Sequence, residues 1–163
     1  MTAIKQDDFI QSIADGFQYI SYYHPLDYIK ALGEAYEKEE SPAAKDAIAQ
    51  ILTNSRMCAE GHRPICQDTG IALVFLKVGM NVQWDSELSV QEMVNEGVRR
   101  AYTDPDNVLR ASVLSDPAGK RINTKDNTPA VVHYEIVPGD EVEVIVAAKG
   151  GGSEAKSKFA MLN

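Results

Sequence analysis

The chain has 163 residues, of which 44% are hydrophobic and 25% are charged, so it is long enough and apolar enough to fold as a globular domain. Its net charge of -8 argues against a nucleic-acid partner, and none of its apolar runs approaches the roughly 20 residues of a membrane-spanning helix. The first residues lack the basic-then-apolar layout of a secretory signal, which predicts a cytoplasmic protein with Cys58 and Cys66 as reduced thiols.

Three amphipathic helices are predicted in the N-terminal part of the chain. Apolar residues recur every three or four positions over residues 8–21, and again from Leu26 onward. Ser41 and Pro42 are typical of a helix start, with serine as the N-cap and proline at the first helical position. The third helix is expected to end near Arg56.

The pattern changes from helical to strand-like after Gly70. Residues 71–78 are almost continuously apolar, which predicts a strand that is covered on both faces. Ser89 and Glu92 are typical of a capping box, in which each side chain satisfies a backbone amide of the other residue, and a fourth helix follows. Residues 104–107 (Asp-Pro-Asp-Asn) predict a turn or a short new helix start.

Two further strands are predicted near the C-terminal end. The polar residues 115–129 are expected to form a loop, and the β-rich runs 130–137 and 141–148 follow it. Pro138-Gly139-Asp140 joins these two runs, which predicts a hairpin. Helices first and strands later favour an α+β fold, with N-terminal helices followed by a small mixed sheet that ends in a C-terminal hairpin.

The whole chain, residues 1–163, is expected to be a single domain. Residues 1–62 are predicted to be mainly helical, and residues 63–149 to contain the mixed sheet with its helices. Residues 150–163 are predicted to be a Gly-rich loop and the start of a truncated helix. We expect this last segment to be frayed, because a short helix start with nothing to pack on is marginally stable.

Residues 66–70 (Cys-Gln-Asp-Thr-Gly) place a thiol, a carboxamide, a carboxylate and a hydroxyl in consecutive positions between a helix and a strand. Such a turn can direct several polar groups into one small volume. In one interpretation Cys66 is a thiolate ligand, and Gln67 and Asp68 contact a substrate. In the other, Cys66 is a small buried hydrophobic residue, and Asp68 and Thr69 only organise the turn. Residue types alone leave both interpretations open.

A second candidate site is the run 149–153 (Lys-Gly-Gly-Gly-Ser). Its glycines can direct successive backbone amides at an anion, although a flexible connection has the same composition. The order of residues differs from that of a phosphate-binding P-loop. Arg110 follows a turn and is a better candidate for holding a carboxylate than Arg99 and Arg100, which lie at a helix C-terminus.

Five short segments occur in a characteristic order along the chain. They are 54–56 (Asn-Ser-Arg), 64–70 (Pro-Ile-Cys-Gln-Asp-Thr-Gly), 107–110 (Asn-Val-Leu-Arg), 123–130 (Asn-Thr-Lys-Asp-Asn-Thr-Pro-Ala) and 148–153 (Ala-Lys-Gly-Gly-Gly-Ser). Together they resemble the class I, iron–sulfur-dependent fumarase and tartrate dehydratase family. The resemblance covers nearly the whole chain, and several motifs in order are far more specific than any one of them.

The resemblance implies a hydro-lyase that reversibly adds water to fumarate to give L-malate. Such enzymes hold a [4Fe-4S] cluster by three cysteines and leave one iron open as a Lewis acid. Carried over by motif, Cys66 is the metal ligand, Gln67 and Arg110 bind substrate carboxylates, and Gly152 offers its backbone amide to the substrate. Asp68 is then the catalytic residue that transfers a proton at the leaving hydroxyl.

The rest of the family pattern lies beyond residue 163, including two cluster cysteines and the catalytic base. The resemblance therefore implies the N-terminal portion of a longer cytoplasmic enzyme, with a small dicarboxylate substrate and the missing C-terminal portion as partners. A homodimer is expected at full length, and neither nucleic acid nor a membrane is expected as a partner. The chain alone is expected to be inactive, to lack a stable cluster, and to expose an apolar patch where the missing part docks.

Two alternatives remain open. The first is an L(+)-tartrate dehydratase of the same family, which uses the same chemistry on a substrate with one more hydroxyl. The second is a non-catalytic anion-binding or interaction module that is built around residues 149–153.

Overall fold

The computed structural model describes residues 3–152 and 158–162. These residues form four helices: α1 (Gln6–Tyr22), α2 (Leu26–Lys38), α3 (Pro42–Gly61) and α4 (Val90–Tyr102). They also form five strands: β1 (Ile4–Lys5), β2 (Ile71–Gly79), β3 (Trp84–Asp85), β4 (Val131–Val137) and β5 (Val142–Lys149). The predicted α+β architecture is confirmed. Residues 158–162 are neither helix nor strand, and the part of the predicted terminal helix at 153–157 lies outside the described residues.

The N-terminal helices form where the sequence predicts them. α3 begins after the N-cap Ser41 with Pro42 in its first turn. It continues to Gly61 instead of ending near Arg56, because no strong helix breaker lies between these residues. His62 then ends it in the left-handed conformation, with a φ of 45°. Among the described residues, no helix combines the length and the apolar character that crossing a membrane requires.

The hydrophobic core lies between the helix pair α1 and α4 and one face of the main sheet. α4 begins at the predicted capping box, in which Ser89 and Glu92 bond to each other's backbone amides. The helices approach closely at Gly97, where an added Cβ atom would lie 2.6 Å from the Cβ atom of Ile13. Fully buried residues from both helices and from β2 fill the space between these elements: Ile10, Ile13, Phe17, Val74, Leu76, Met93, Val94 and Val98.

The main sheet has three strands in the order β4-β2-β5. β2 runs parallel to β4, with Leu73 opposite Val131, and antiparallel to β5, with Phe75 opposite Ile145. β1 and β3 form a separate two-stranded parallel sheet. The sheet is therefore mixed, as predicted, and the strand that follows the Cys66 turn lies at its centre.

The predicted C-terminal hairpin is wrong, because β2 lies between β4 and β5. The connecting turn crosses the end of β2, where the amide of Asn81 donates to the carbonyl of Gly139 at 2.9 Å. Gly79 permits this crossing, since a Cβ atom there would lie 2.5 Å from that carbonyl oxygen. The turn residues signalled a reversal of direction correctly, but a short reversal does not determine whether its two strands pair with each other.

Helices cover only one face of β2 in the described part of the chain. Val74 and Leu76 are buried on that face, whereas Ile71 and Phe75 on the outer face are each 41% exposed. The prediction of a strand covered on both faces is therefore wrong for these residues, because an apolar run does not specify which segment covers it. The Phe75 ring stacks on His133 with 4.9 Å between centroids, so this outer face presents apolar surface.

Candidate active site

The loop that carries Cys66 is held at its start by α1 and α3. The backbone amide of Ile65 donates to the carbonyl of Ser21, at the end of α1, at 2.8 Å. The side-chain amide of Asn54 in α3 donates to the carbonyl of Ile65 at 3.1 Å. Both backbone groups of one residue are therefore fixed immediately before the thiol, which limits how far the loop can move.

The end of the loop is fixed by partners that are distant in sequence. The Tyr102 hydroxyl donates to the carbonyl of Thr69 at 2.7 Å, and the Thr69 hydroxyl donates to the carbonyl of Arg110. The side-chain amide of Asn127 donates to the carbonyl of Gly70 at 2.9 Å. Gly70 has a φ of 74°, and a Cβ atom there would lie 2.7 Å from the backbone of Lys149, so a larger residue does not fit.

Asn127 joins three segments of the site and is completely buried. In addition to its bond to the loop at Gly70, its side-chain oxygen accepts from the amides of Ser112 at 2.7 Å and Val113 at 3.3 Å. The buried side chain therefore makes hydrogen bonds through both its donor and its acceptor, as burial of an amide requires. It ties the Cys66 loop to the segment that follows Arg110.

The two cysteines have different environments, and neither forms a disulfide. Cys66 is exposed, and its Sγ donates to the Gln67 side-chain oxygen at 3.2 Å. Cys58 is buried in α3, and its Sγ lies 3.7 Å from Asn54 Oδ1 and 3.6 Å from the carbonyl of Pro64. The interpretation of Cys66 as a small buried hydrophobic residue is therefore wrong, whereas Cys58 packs within the fold.

The glycine run forms an anion cradle, and the carboxylate of Asp68 occupies it. Asp68 Oδ2 accepts from the amide of Gly151 at 2.8 Å and from the amide of Gly152 at 3.2 Å. An added Cβ atom at Gly150 would lie 3.0 Å from the same oxygen, so the absence of side chains allows the close approach. Two predicted site residues, Asp68 and Gly152, are thus in direct contact.

A cavity of about 140 Å³ lies beneath the loop. Cys66, Asp68 and Thr69 contribute polar groups to its lining, and apolar side chains such as Phe17 and Leu109 form much of the rest. Tyr102 also lines the cavity; its burial, together with the nearby Asp68 carboxylate, raises the pKa of its hydroxyl to about 12. Tyr102 therefore stays protonated at neutral pH and keeps its hydrogen bond to the loop.

The remaining predicted residues lie outside this cavity. Gln67 is exposed and contacts the thiol of Cys66 instead of the cavity. Arg110 reaches the loop through its backbone carbonyl, and its side chain is exposed. Within the described ranges no carboxylate forms an ion pair with the Arg110 guanidinium. The guanidinium is therefore accessible to an anion on the surface next to the loop.

Sequence reasoning did not assign roles to the residues that support the loop. Tyr102 lies four positions after Val98, so the apolar stripe of α4 could have revealed its burial. Asn107 donates to the side chains of Gln18 and Ser21, and with Asn127 it belongs to the motifs on which the resemblance rests. No local sequence pattern shows that an asparagine bonds to a segment so far away in the chain.

The described residues supply one accessible thiol for an iron–sulfur cluster. Cys66 suits this role because it is exposed and free, whereas Cys58 is buried and bonded within the fold. No group of three or more His, Cys, Asp or Glu side chains in the described part of the chain is arranged to hold a metal ion. The described residues can therefore supply one ligand of a cluster, Cys66, but not the complete set of ligands.

Comparison with known proteins identifies the family. The family model described as fumarate hydratase (Fumerase) matches residues 10–163, which include the loop, the cavity and the glycine run. The chain belongs to the fumarate hydratase family. This assignment agrees with the resemblance that the five sequence motifs carry.

Three curated relatives of this fumarate hydratase family member illustrate two kinds of name, fumarate hydratase and tartrate dehydratase. A putative L(+)-tartrate dehydratase subunit alpha of Methanocaldococcus jannaschii is 33% identical over 92% of this chain and 53% of its own length. The anaerobic class I fumarate hydratase of Escherichia coli is 35% identical over 75% of this chain and 22% of its own length. An L(+)-tartrate dehydratase subunit alpha of Escherichia coli is 30% identical, and the match covers 46% of it. The chain thus spans between about a fifth and about half of these relatives.

Proposed function

We propose that this chain forms one wall of the active site of a fumarate hydratase, which reversibly hydrates fumarate to L-malate. The observation that carries the proposal is that Cys66 and Asp68 line one small cavity, with the Gly152 amide bonded to Asp68, in a member of the fumarate hydratase family. A thiolate can ligate a metal centre, and a carboxylate can exchange a proton with the substrate. Backbone amides that point in one direction can bind a negatively charged group of the substrate.

Each residue has a specific role in the proposed reaction. Cys66 is one ligand of a [4Fe-4S] cluster, which when bound would supply a Lewis-acid iron. Gln67 and Arg110 bind the substrate carboxylates, and the amide of Gly152 donates to the substrate. Because the amides of Gly151 and Gly152 now both donate to Asp68, a substrate carboxylate that takes over both amides would release Asp68. The freed carboxylate can then accept a proton from the water that adds to fumarate, and in the reverse dehydration the protonated side chain returns that proton to the departing hydroxyl.

The proposed whole enzyme includes parts outside this chain. Its remaining cluster ligands come from a C-terminal portion of the same polypeptide or from a second subunit, and the complete enzyme is a cytoplasmic homodimer. This proposal agrees with the larger size of the relatives, of which the match covers between about a fifth and about half.

L(+)-tartrate dehydratase is the second candidate function. The relative that aligns with 92% of the chain carries that name, so the choice between the two substrates stays open within one chemistry. The non-catalytic anion-binding module has less support. The amides that would form such a site already donate to Asp68, so an external anion would first have to displace this side chain.

The role of Asp68 can be tested in the complete enzyme with Asp68→Asn, assayed on fumarate and on L(+)-tartrate. We expect kcat to fall by about 10²- to 10⁴-fold with little change in KM, because proton transfer is lost while the carboxylate-binding groups remain. The substrate that the unaltered enzyme turns over decides between the two dehydratases.

Asp140→Asn is the matched control, since Asp140 lies exposed in the turn between β4 and β5. This control should retain full activity, and the visible absorption of the cluster should be the same in all three proteins. An Asp68→Asn enzyme with an intact cluster and an unchanged kcat would contradict the proposed role.

A further inference from the structure

β4 is an edge strand with unpaired backbone groups. Among the described residues it pairs with β2 on one side and with no strand on the other. The carbonyl of Val137 accepts from the amide of Met80, so the odd-numbered residues of β4 direct their peptide groups toward β2. Val132, Tyr134 and Ile136 direct theirs away from the sheet. These outward groups form a template that another strand can pair with.

Most side chains of β4 are also exposed. Tyr134 is 49% exposed and Ile136 is 66% exposed on the helix-facing side, and Val131 is 44% exposed on the outer side. The strand contains no proline, lysine or glycine, which are residues that proteins use to prevent edge-to-edge pairing. Its outward backbone groups and most of its side chains are thus available for a partner.

The sequence of β4, Val-Val-His-Tyr-Glu-Ile-Val, is complementary to itself when read in the opposite direction. If a second copy pairs antiparallel with Tyr134 opposite Tyr134, His133 lies opposite Glu135 twice by symmetry. Around this centre Val132 lies opposite Ile136 and Val131 opposite Val137, so apolar side chains meet apolar ones. Opposite charges and β-branched residues in direct opposition both stabilise an antiparallel pair.

We propose that two copies of this chain associate through β4, antiparallel and centred on Tyr134. Their two three-stranded sheets then form one continuous sheet in the order β5-β2-β4-β4-β2-β5. A parallel arrangement in the same register would place Glu135 against Glu135, and it would not close a two-fold dimer. This interface is independent of the proposed reaction, since none of its residues belongs to the Cys66 site.

The mass of the 163-residue chain in solution, measured by light scattering over a range of concentrations, tests the proposal. We expect a dimer whose dissociation constant rises by about tenfold or more in His133→Glu, because two glutamates then face each other twice. The double variant His133→Glu with Glu135→His restores opposite charges, and we expect it to restore the dimer. Thr53→Glu, an exposed position on α3, adds the same charge elsewhere and should have no effect.

A cysteine cross-link gives a second measurement that does not depend on the charged pair. In a Cys66→Ser background, Tyr134→Cys should form a disulfide dimer, because residues opposite each other in this register lie about 5.5 Å apart at Cα. Ile136→Cys is the matched control, since it lies roughly 14 Å from its copy and cannot form the bond. A monomer at all concentrations, a dimer that His133→Glu leaves intact, or equal cross-linking at both positions would overturn the proposal.

Discussion

Tyr102 illustrates how one buried hydroxyl supports the loop that carries Cys66 and Asp68. Its donation to the Thr69 carbonyl joins α4 to the loop, and burial raises its pKa from 10.0 to about 12. A group whose pKa is higher in the folded state stabilises the fold fully below its unfolded pKa and loses that contribution as pH rises through the folded value. The stability that Tyr102 contributes is therefore present below pH 10 and is lost toward pH 12.

Tyr102→Phe should lower the free energy of unfolding at neutral pH by about 1 kcal/mol, because the Thr69 carbonyl loses its donor. The difference between wild type and variant should shrink as pH rises from 10 to 12, and denaturant titrations at several pH values measure it. Tyr28→Phe is the control, since Tyr28 is 41% exposed. A difference that stays constant up to pH 12 would show that the pKa of Tyr102 is not raised.

Packing between elements depends on the close contact of α1 and α4 at Gly97. An added Cβ atom there would lie 2.6 Å from Ile13 Cβ and 2.7 Å from the carbonyl oxygen of Ile10. Because one of these neighbours is helix backbone, the contact can be relieved only if the helices move apart. Gly33 in α2 is the opposite case, since a Cβ atom added there would have no neighbour within 4 Å.

Gly97→Ala should destabilise the protein by about 1 to 3 kcal/mol through overpacking. Gly33→Ala should instead stabilise it by about 0.5 to 1 kcal/mol, since alanine loses less backbone entropy in a helix. The free energy of unfolding of both variants, measured under the same conditions, checks the pair. Stabilisation of both variants would mean that helix propensity, and not the α1–α4 contact, governs the result.

The elements themselves could be predicted from the sequence more reliably than their arrangement. The four helices follow from apolar spacing and from caps such as Ser41 and Ser89, which are local signals. The strand order was not predictable in this way, because β2 pairs with partners about 60 to 80 residues later in the chain. With a strand on each side, β2 forms backbone hydrogen bonds along both of its edges. If β4 and β5 paired with each other as a hairpin, at least one edge of β2 would lose its partner.

At the scale of the whole molecule, the number of exposed thiols limits what the chain can bind. The chain contains two cysteines, and only Cys66 is exposed. A [4Fe-4S] cluster held by three cysteines therefore requires ligands from outside this chain. This requirement agrees with relatives that are about two to five times longer than the matched region.

Anaerobic reconstitution of the chain alone with iron and sulfide should yield no stoichiometric visible cluster absorption and no turnover of fumarate. The physical reason is that a single thiolate cannot hold a cubane against exchange with solvent. Cys66→Ser serves as the baseline, and we expect the wild-type chain to retain no more iron than this variant. A stoichiometric cluster in the chain alone would contradict the prediction.

The sequence alone determined the helices, the α+β class, the family and the candidate site residues, because helix caps, apolar periodicity and short motifs are encoded locally. The tertiary structure alone decided that β2 is central, that Asp68 occupies the amides of Gly151 and Gly152, and that Tyr102 and Asn127 support the loop. These contacts join residues that are dozens of positions apart. Which of many such pairs form depends on the packing of the whole chain, so no local pattern specifies them.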